Sequence, residues 1–202
     1  NVTLIGISGG VSYGALGMTH HSCQDFAAMC ALTGMRVYCP SDRFQTTKLM
    51  QALLEDDKPA YIRVSRSATE DVYDEAIDFQ LDKANVIQQG TDVVLIACGE
   101  MVPYAKKAAK QLEALGISTG LIDMYCLKPF DQETLFEQTK QAKLVVSIEE
   151  HAPQGGLGSF VAQALSMHQP KRMIQLCLPD EHLISGTNKE MFAYYGLDED
   201  GI

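Results

Sequence analysis

The chain has 202 residues, room for one large or two small domains, and its 46% hydrophobic and 21% charged content is that of an ordinary globular protein. Sixteen basic against 26 acidic side chains leave a formal net charge of −10. No Lys/Arg cluster supplies the basic surface that DNA, RNA or an anionic membrane requires, although one or two placed Arg side chains would still suffice for a phosphorylated metabolite.

Residues 1–7 (Asn1-Val2-Thr3-Leu4-Ile5-Gly6-Ile7) lack the basic start and cleavage site of a signal peptide and read as a strand already under way, so the natural N-terminus is expected upstream. No apolar run is long enough to cross a bilayer. Strands are predicted over 2–7 and 35–38, with a helix over 23–32 facing inward through Phe26, Ala27, Cys30 and Ala31. Ser41-Asp42 caps a second helix over 43–55, with Phe44, Thr47, Leu49, Met50, Leu53 and Leu54 inward. A strand over 60–65 follows Lys58-Pro59. This β-α-β-α-β order predicts parallel strands joined by crossover helices.

The stretch 67–79 is acidic and poor in aliphatics, as a linker is. The organisation predicted is a first domain over 1–70, a linker over 71–80 and a second domain over 81–202. In the second, strands are expected over 93–97, 117–124, 144–148 and 173–177, and helices over 102–115, 130–141, 158–167 and 189–195. Strands so uniformly apolar are covered on both faces. The fold class is therefore α/β, two three-layer units with mostly parallel sheets, the first truncated at its N-terminus. The six cysteines, at 23, 30, 39, 98, 126 and 177, form no CxxC pair and fit buried free thiols in a reducing cytosol.

Ligands of open parallel sheets gather beyond the carboxyl ends of the strands. The loop 8–22 carries Gly9, Gly10, Gly14 and Gly17, then His20 and His21 near an expected helix start, whose field would lower an imidazole pKa. The plainer alternative is a mobile glycine loop with His21 beside a surface cap. Arg63 and Arg66 flank the end of the strand 60–65 on opposite faces, either clamping a phosphate or pairing with the acidic linker. Gly155-Gly156-Leu157-Gly158 reads as a tight strand-to-helix turn, because the preceding Glu149-Glu150 would repel phosphate. His151, His168 and His182 have no metal-ligand spacing, and no Walker lysine, zincin helix or nucleophile elbow is present.

The stretches G-A-L-G-M-T-H-H-S-C-Q-D-F, M-R-V-Y-C-P-S-D and P-A-Y-I-R-V-S-R together resemble the later half of the pyrimidine-binding domain of transketolases. Downstream, F-Q-L-D-K-A-N-V-I-Q-Q-G-T-D-V-V-L-I-A-C-G, L-I-D-M-Y-C-L-K-P-F-D, V-S-I-E-E-H and G-G-L-G-S resemble that family's C-terminal domain. 1-Deoxyxylulose-5-phosphate synthase and the beta subunits of 2-oxo-acid dehydrogenases share the pattern. The resemblance implies a cytoplasmic thiamine diphosphate and magnesium enzyme that moves a two-carbon ketol unit between sugar phosphates, working as a homodimer or with a separate N-terminal subunit. It also implies a catalytic, substrate-binding role for His20, over the reacting centre, and a substrate-phosphate role for Arg66. Leu16 stands where the family usually has an Asp that reads the acceptor, and Ser8 where many members have a phosphate-binding His. The family's activating Glu and its diphosphate- and metal-binding domain are not found in this chain, so no cofactor or metal residue is assigned. The chain is expected to be inactive alone, as a piece or subunit of a longer enzyme. Two alternatives stay open: a fragment of a 1-deoxyxylulose-5-phosphate synthase, and a non-catalytic assembly or regulatory module on the same fold.

Overall fold

The computed structural model describes residues 2–202, and the chain forms two α/β units. In the first, β1 (Thr3–Ile7), β2 (Arg36–Tyr38) and β3 (Ala60–Val64) are parallel in the order β1-β3-β2, joined by α1 (Asp25–Ala31) and α2 (Arg43–Leu54). The strand β3, buried over its first four residues, lies between its neighbours, whereas β1 is the sheet edge and exposes Leu4, Ile5 and Ile7. Asp42 caps α2 by accepting from the Gln45 amide at 2.9 Å, as its position before the helix predicts. The inner face of α2 is narrower than expected, a stripe of buried Gln45, Leu49 and Leu53 with half-buried Met50 packed beside it. Thr47 and Leu54 point to solvent, and so does Ala31 of α1.

The second unit has strands β4 (Asn85–Gln88), β5 (Val93–Ala97), β6 (Thr119–Asp123), β7 (Cys126–Lys128), β8 (Leu144–Ile148) and β9 (Met173–Leu176). Its helices are α3 (Met101–Ala114), α4 (Gln132–Thr139), α5 (Leu157–His168) and α6 (Asn188–Tyr195). The sheet order is β4-β6-β5-β8-β9, parallel except for β4 at one edge. Neither β4 nor β7 is apparent in the sequence. The first is half polar, and the second is three residues long, too short to show a period.

The strand β7 leaves its own unit and pairs antiparallel with β2 of the other. One hydrophobic cluster accordingly runs through both units, joining Tyr38, Leu49 and Ile62 to Ile96, Ile122, Tyr125 and Leu157. A second lies under α3 and α6 and takes in Val11 and Cys23 of the first unit. The acidic stretch between the units is held down by Arg43–Asp71 at 2.9 Å and Lys107–Glu70 at 2.6 Å, and by Asp42 accepting from the Val72 and Tyr73 amides at 2.8 Å. All six cysteines are free thiols, four of them buried. No helix among the described residues is long and apolar enough to cross a membrane.

Candidate functional site

The pairing of Ile7 with Val64 brings the ends of β1 and β3 side by side, so the loop 8–22 and the segment 65–67 emerge together. Two 3-10 turns, Gly14–Leu16 and Met18–His20, shape the loop, and Gly10 and Ser22 exchange backbone hydrogen bonds of 2.9 and 2.8 Å across its base. The second unit holds it from outside: the Val11 amide donates to Glu150 at 2.5 Å, and the Gly186 amide to the Gly14 carbonyl at 3.3 Å. A Cβ at Gly9 would collide with the Arg63 side chain, and one at Gly14 with the Gly186 carbonyl. This loop is an anchored structure, unlike the mobile segment its composition allows.

His20 ends the second turn with an exposed ring. Its Nδ1 lies 2.9 Å from Thr19 Oγ1, and the ring meets Tyr13 edge to face at 5.4 Å between centroids. The guanidinium of Arg66 lies 4.0 Å over the same Tyr13 ring. Tyr13 therefore stands between the two predicted site residues and brings them to one surface. Sequence reasoning missed it; its only signal was an aromatic residue inside a glycine-rich loop.

The expected helix start is absent at this point. The helix α1 begins at Asp25, beyond His21, so no helix terminus acts on either imidazole. His21 is half-buried, and both its ring nitrogens are shielded without a hydrogen-bond partner among the described residues. Burial is the main cause that lowers its pKa, opposed by the Gly14 backbone and reinforced by His20.

The two arginines separate, although Arg66 lies past the strand end, where strand alternation no longer applies. Arg63 is buried over the Phe26 ring at 4.5 Å, 3.4 Å from Asp25, 3.3 Å from the Glu150 carboxylate and 2.7 Å from the Glu150 carbonyl. It ties β3 to the second unit, with its guanidinium already paired. Arg66 is exposed and forms no ion pair among the described residues, since the linker acids Asp71 and Glu70 are taken by Arg43 and Lys107.

The glycine turn before α5 is closed. The Glu149 carboxylate accepts from the Leu157 and Gly158 amides at 2.6 and 2.7 Å, and from Gln175 at 3.1 Å. A protein carboxylate thus fills the amide cradle a phosphate would use. Burial pushes the Glu149 pKa up to about 7 against those donors. His151 is buried and stacked on Phe26, and His168 packs against Phe136. No metal-holding group of three His, Cys, Asp or Glu occurs among the described residues.

Two cavities adjoin the loop and share Ser12 and Ser67. One, of about 510 Å3, lies at the ends of β2, β3 and β5 and is rich in hydroxyls, among them Ser41, Thr46 and Ser65. The other, of about 480 Å3, runs between Tyr13, Arg66 and the start of α6.

Residues 1–71 match the transketolase pyrimidine-binding domain family, and residues 82–202 the transketolase C-terminal domain family. The whole chain is 42% identical to an apulose-4-phosphate transketolase subunit of Phocaeicola vulgatus and covers 65% of that protein. Over 94% of the chain it is 33% identical to the 1-deoxy-D-xylulose-5-phosphate synthase of Pseudoalteromonas atlantica, of which it covers 30%. A solved structure described as a split gene transketolase, inactive beta4 tetramer, superposes on all of this chain with a TM-score of 0.87 at 33% identity. The chain covers 63% of that structure, so it spans somewhat less than two thirds of both the apulose-4-phosphate transketolase subunit and the split-gene protein.

Proposed function

Because the chain belongs to the transketolase family, we propose that it is the C-terminal part of an enzyme that moves a two-carbon ketol unit between sugar phosphates, with thiamine diphosphate as cofactor. The observation that carries this reading is the convergence of His20 and Arg66 on one exposed surface through Tyr13. The names of relatives support it: the protein 42% identical to this chain is a subunit of an apulose-4-phosphate transketolase. We assign the rest of the enzyme to a separate subunit or to preceding segments, in a cytoplasmic assembly of two or more chains.

The residues present fit the substrate-facing side of a cofactor site, because His20 offers an exposed ring whose other nitrogen is already engaged. The bound cofactor supplies an electron sink for carbanion chemistry. Its diphosphate and divalent cation we assign to segments outside this chain. Thr19 decides what His20 can do. When the Thr19 hydroxyl donates to Nδ1, Nε2 carries the proton and donates to a substrate hydroxyl oxygen; when Nδ1 donates to Thr19, Nε2 accepts. Either way the ring is held in one orientation while a proton moves at Nε2. Stacked on Tyr13, Arg66 keeps its in-plane N–H edge free for bidentate contact with the substrate phosphate. Leu16 is exposed on the same loop, so acceptor recognition differs from that of members with Asp there.

The 33% identity to a 1-deoxy-D-xylulose-5-phosphate synthase favours a second reading, in which pyruvate replaces the ketose phosphate donor. Product analysis with each donor separates the two. The deciding experiment is calorimetric titration of thiamine diphosphate with magnesium into this chain and into the assembly completed by the missing segments. Binding to the completed assembly alone is the expected outcome. No binding to either would refute the enzymatic reading and leave an assembly module on the same fold.

A further inference from the structure

The cleft of about 480 Å3 beside the His20 loop draws its walls from both units. Tyr13 and Gly14 come from the loop, Arg66 and Ser67 from the end of β3, and Asn188 and Lys189 from the first turn of α6. Both cations, Arg66 and Lys189, are exposed, and neither forms an ion pair among the described residues. The turn that carries Lys189 is fixed in place. Thr187 and Glu190 close a reciprocal cap, and the Gly186 amide bonds the Gly14 carbonyl at 3.3 Å. In one orientation the Asn188 amide donates to the Val11 and Ser12 carbonyls at 3.1 Å, and in the other it reaches Glu100 at 3.3 Å. The two carboxylates of this network have hydrogen-bond donors of their own: Glu190 accepts from the Thr187 amide and hydroxyl at 2.9 and 2.8 Å, and Glu100 from the Ser12 hydroxyl at 3.3 Å.

We propose that Lys189 is the second cation of an anion-binding cleft, and that with Arg66 it takes the dianionic end group of a phosphorylated sugar. The C-terminal unit thereby helps choose the substrate. This rests on the reading of Arg66 as the substrate-phosphate residue. A phosphate monoester carries between one and a half and two negative charges near neutral pH, so one guanidinium leaves part of it unneutralised. The pair also divides the work by shape. Arg66 offers a planar fork, and Lys189 a point charge on a flexible stem that adapts to sugars of different length.

The test compares KM for a phosphorylated ketose and for the same ketose without its phosphate, in the assembled enzyme. For an exposed cation, Lys189→Ala raises KM for the phosphorylated sugar about three- to fivefold, with kcat and the KM of the unphosphorylated sugar unchanged. Lys189→Arg restores the native value, and Lys189→Glu exceeds the loss in the alanine variant. An equal change for both sugars, or none for either, overturns the assignment. Arg66→Ala is the control: a phosphate-specific loss there with none at Lys189 overturns only this inference, whereas no phosphate-specific loss at Arg66 overturns the reading beneath it.

Discussion

Asp123, at the end of β6, is fully buried where the two units meet. Its Oδ2 accepts from Ser41 at 2.9 Å, Gln45 at 2.8 Å and Tyr73 at 2.9 Å, while Oδ1 is buried with no partner among the described residues. Burial outweighs the three donors, nearby Asp42 adds repulsion, and the pKa rises from 3.8 to about 7. Between those values the folded chain holds a proton that the unfolded chain has released. The stability this group contributes is therefore complete below about 4 and lost as pH climbs through 7. A rise of about three units corresponds to roughly 4 kcal/mol. Asp123→Asn places a hydrogen where Oδ1 would carry one and cannot ionise. Urea unfolding followed by circular dichroism at pH 4.5 and pH 8 then gives the contrast. The parent loses roughly 3 kcal/mol more than the variant between the two, because about 1 kcal/mol of the total is already gone at pH 4.5. Glu149, whose pKa is also raised, acts equally in both proteins and cancels in the difference. The same pH slope in parent and variant would refute the argument.

Arg63→Ala strips buried Glu150 and half-buried Asp25 of their cation and should destabilise the chain by about 3–5 kcal/mol, read from the urea midpoint. Arg63→Met, which keeps the volume over Phe26, should recover part of that, and an unchanged midpoint for the alanine variant would contradict a structural role. In the assembled enzyme His20→Ala should lower kcat on the order of 100-fold, as loss of a positioned proton-handling group does. His168→Ala, on the far helix α5 against Phe136, should leave kcat unchanged, and equal activity of the two variants would sink the assignment of His20.

The parallel β-α-β frame was legible because its signals are local. Asp42 stands one residue before a helix and caps it, and the apolar run at Val93–Ala97 is a fully paired central strand. His20 and Arg66 could be singled out by residue type, loop position and resemblance. Tyr13 and Lys189 could not, because their places beside that pair arise from contacts between segments far apart in sequence. The joint was equally hidden. Three residues of β7 crossing to β2 leave no periodic trace, and a linker reading of the acidic stretch gives no hint that Tyr73 reaches Asp123. Arg63 was the hardest to place. A strand-end arginine has the same sequence signature whether it faces a phosphate or carboxylates of its own fold, and only Asp25 and Glu150 decide between them.

The glycines of the His20 loop carry the same lesson further. A glycine-rich loop at a strand end suggests backbone brought close to a ligand. Here Gly9 is required because the Arg63 side chain crosses it, and Gly14 because the Gly186 carbonyl presses on it. These two are packing glycines, and what they pack against belongs to the ion-pair bridge and to the second unit. A loop so rich in glycine loses much conformational entropy on being ordered, and its few apolar side chains offer little burial to offset that loss. The Glu150 carboxylate on the Val11 amide and the Gly14–Gly186 hydrogen bond supply the missing restraint. The backbone of the loop that carries His20 is therefore held at Val11 and Gly14 by residues more than a hundred positions away, while the imidazole itself meets its neighbours Thr19 and Tyr13.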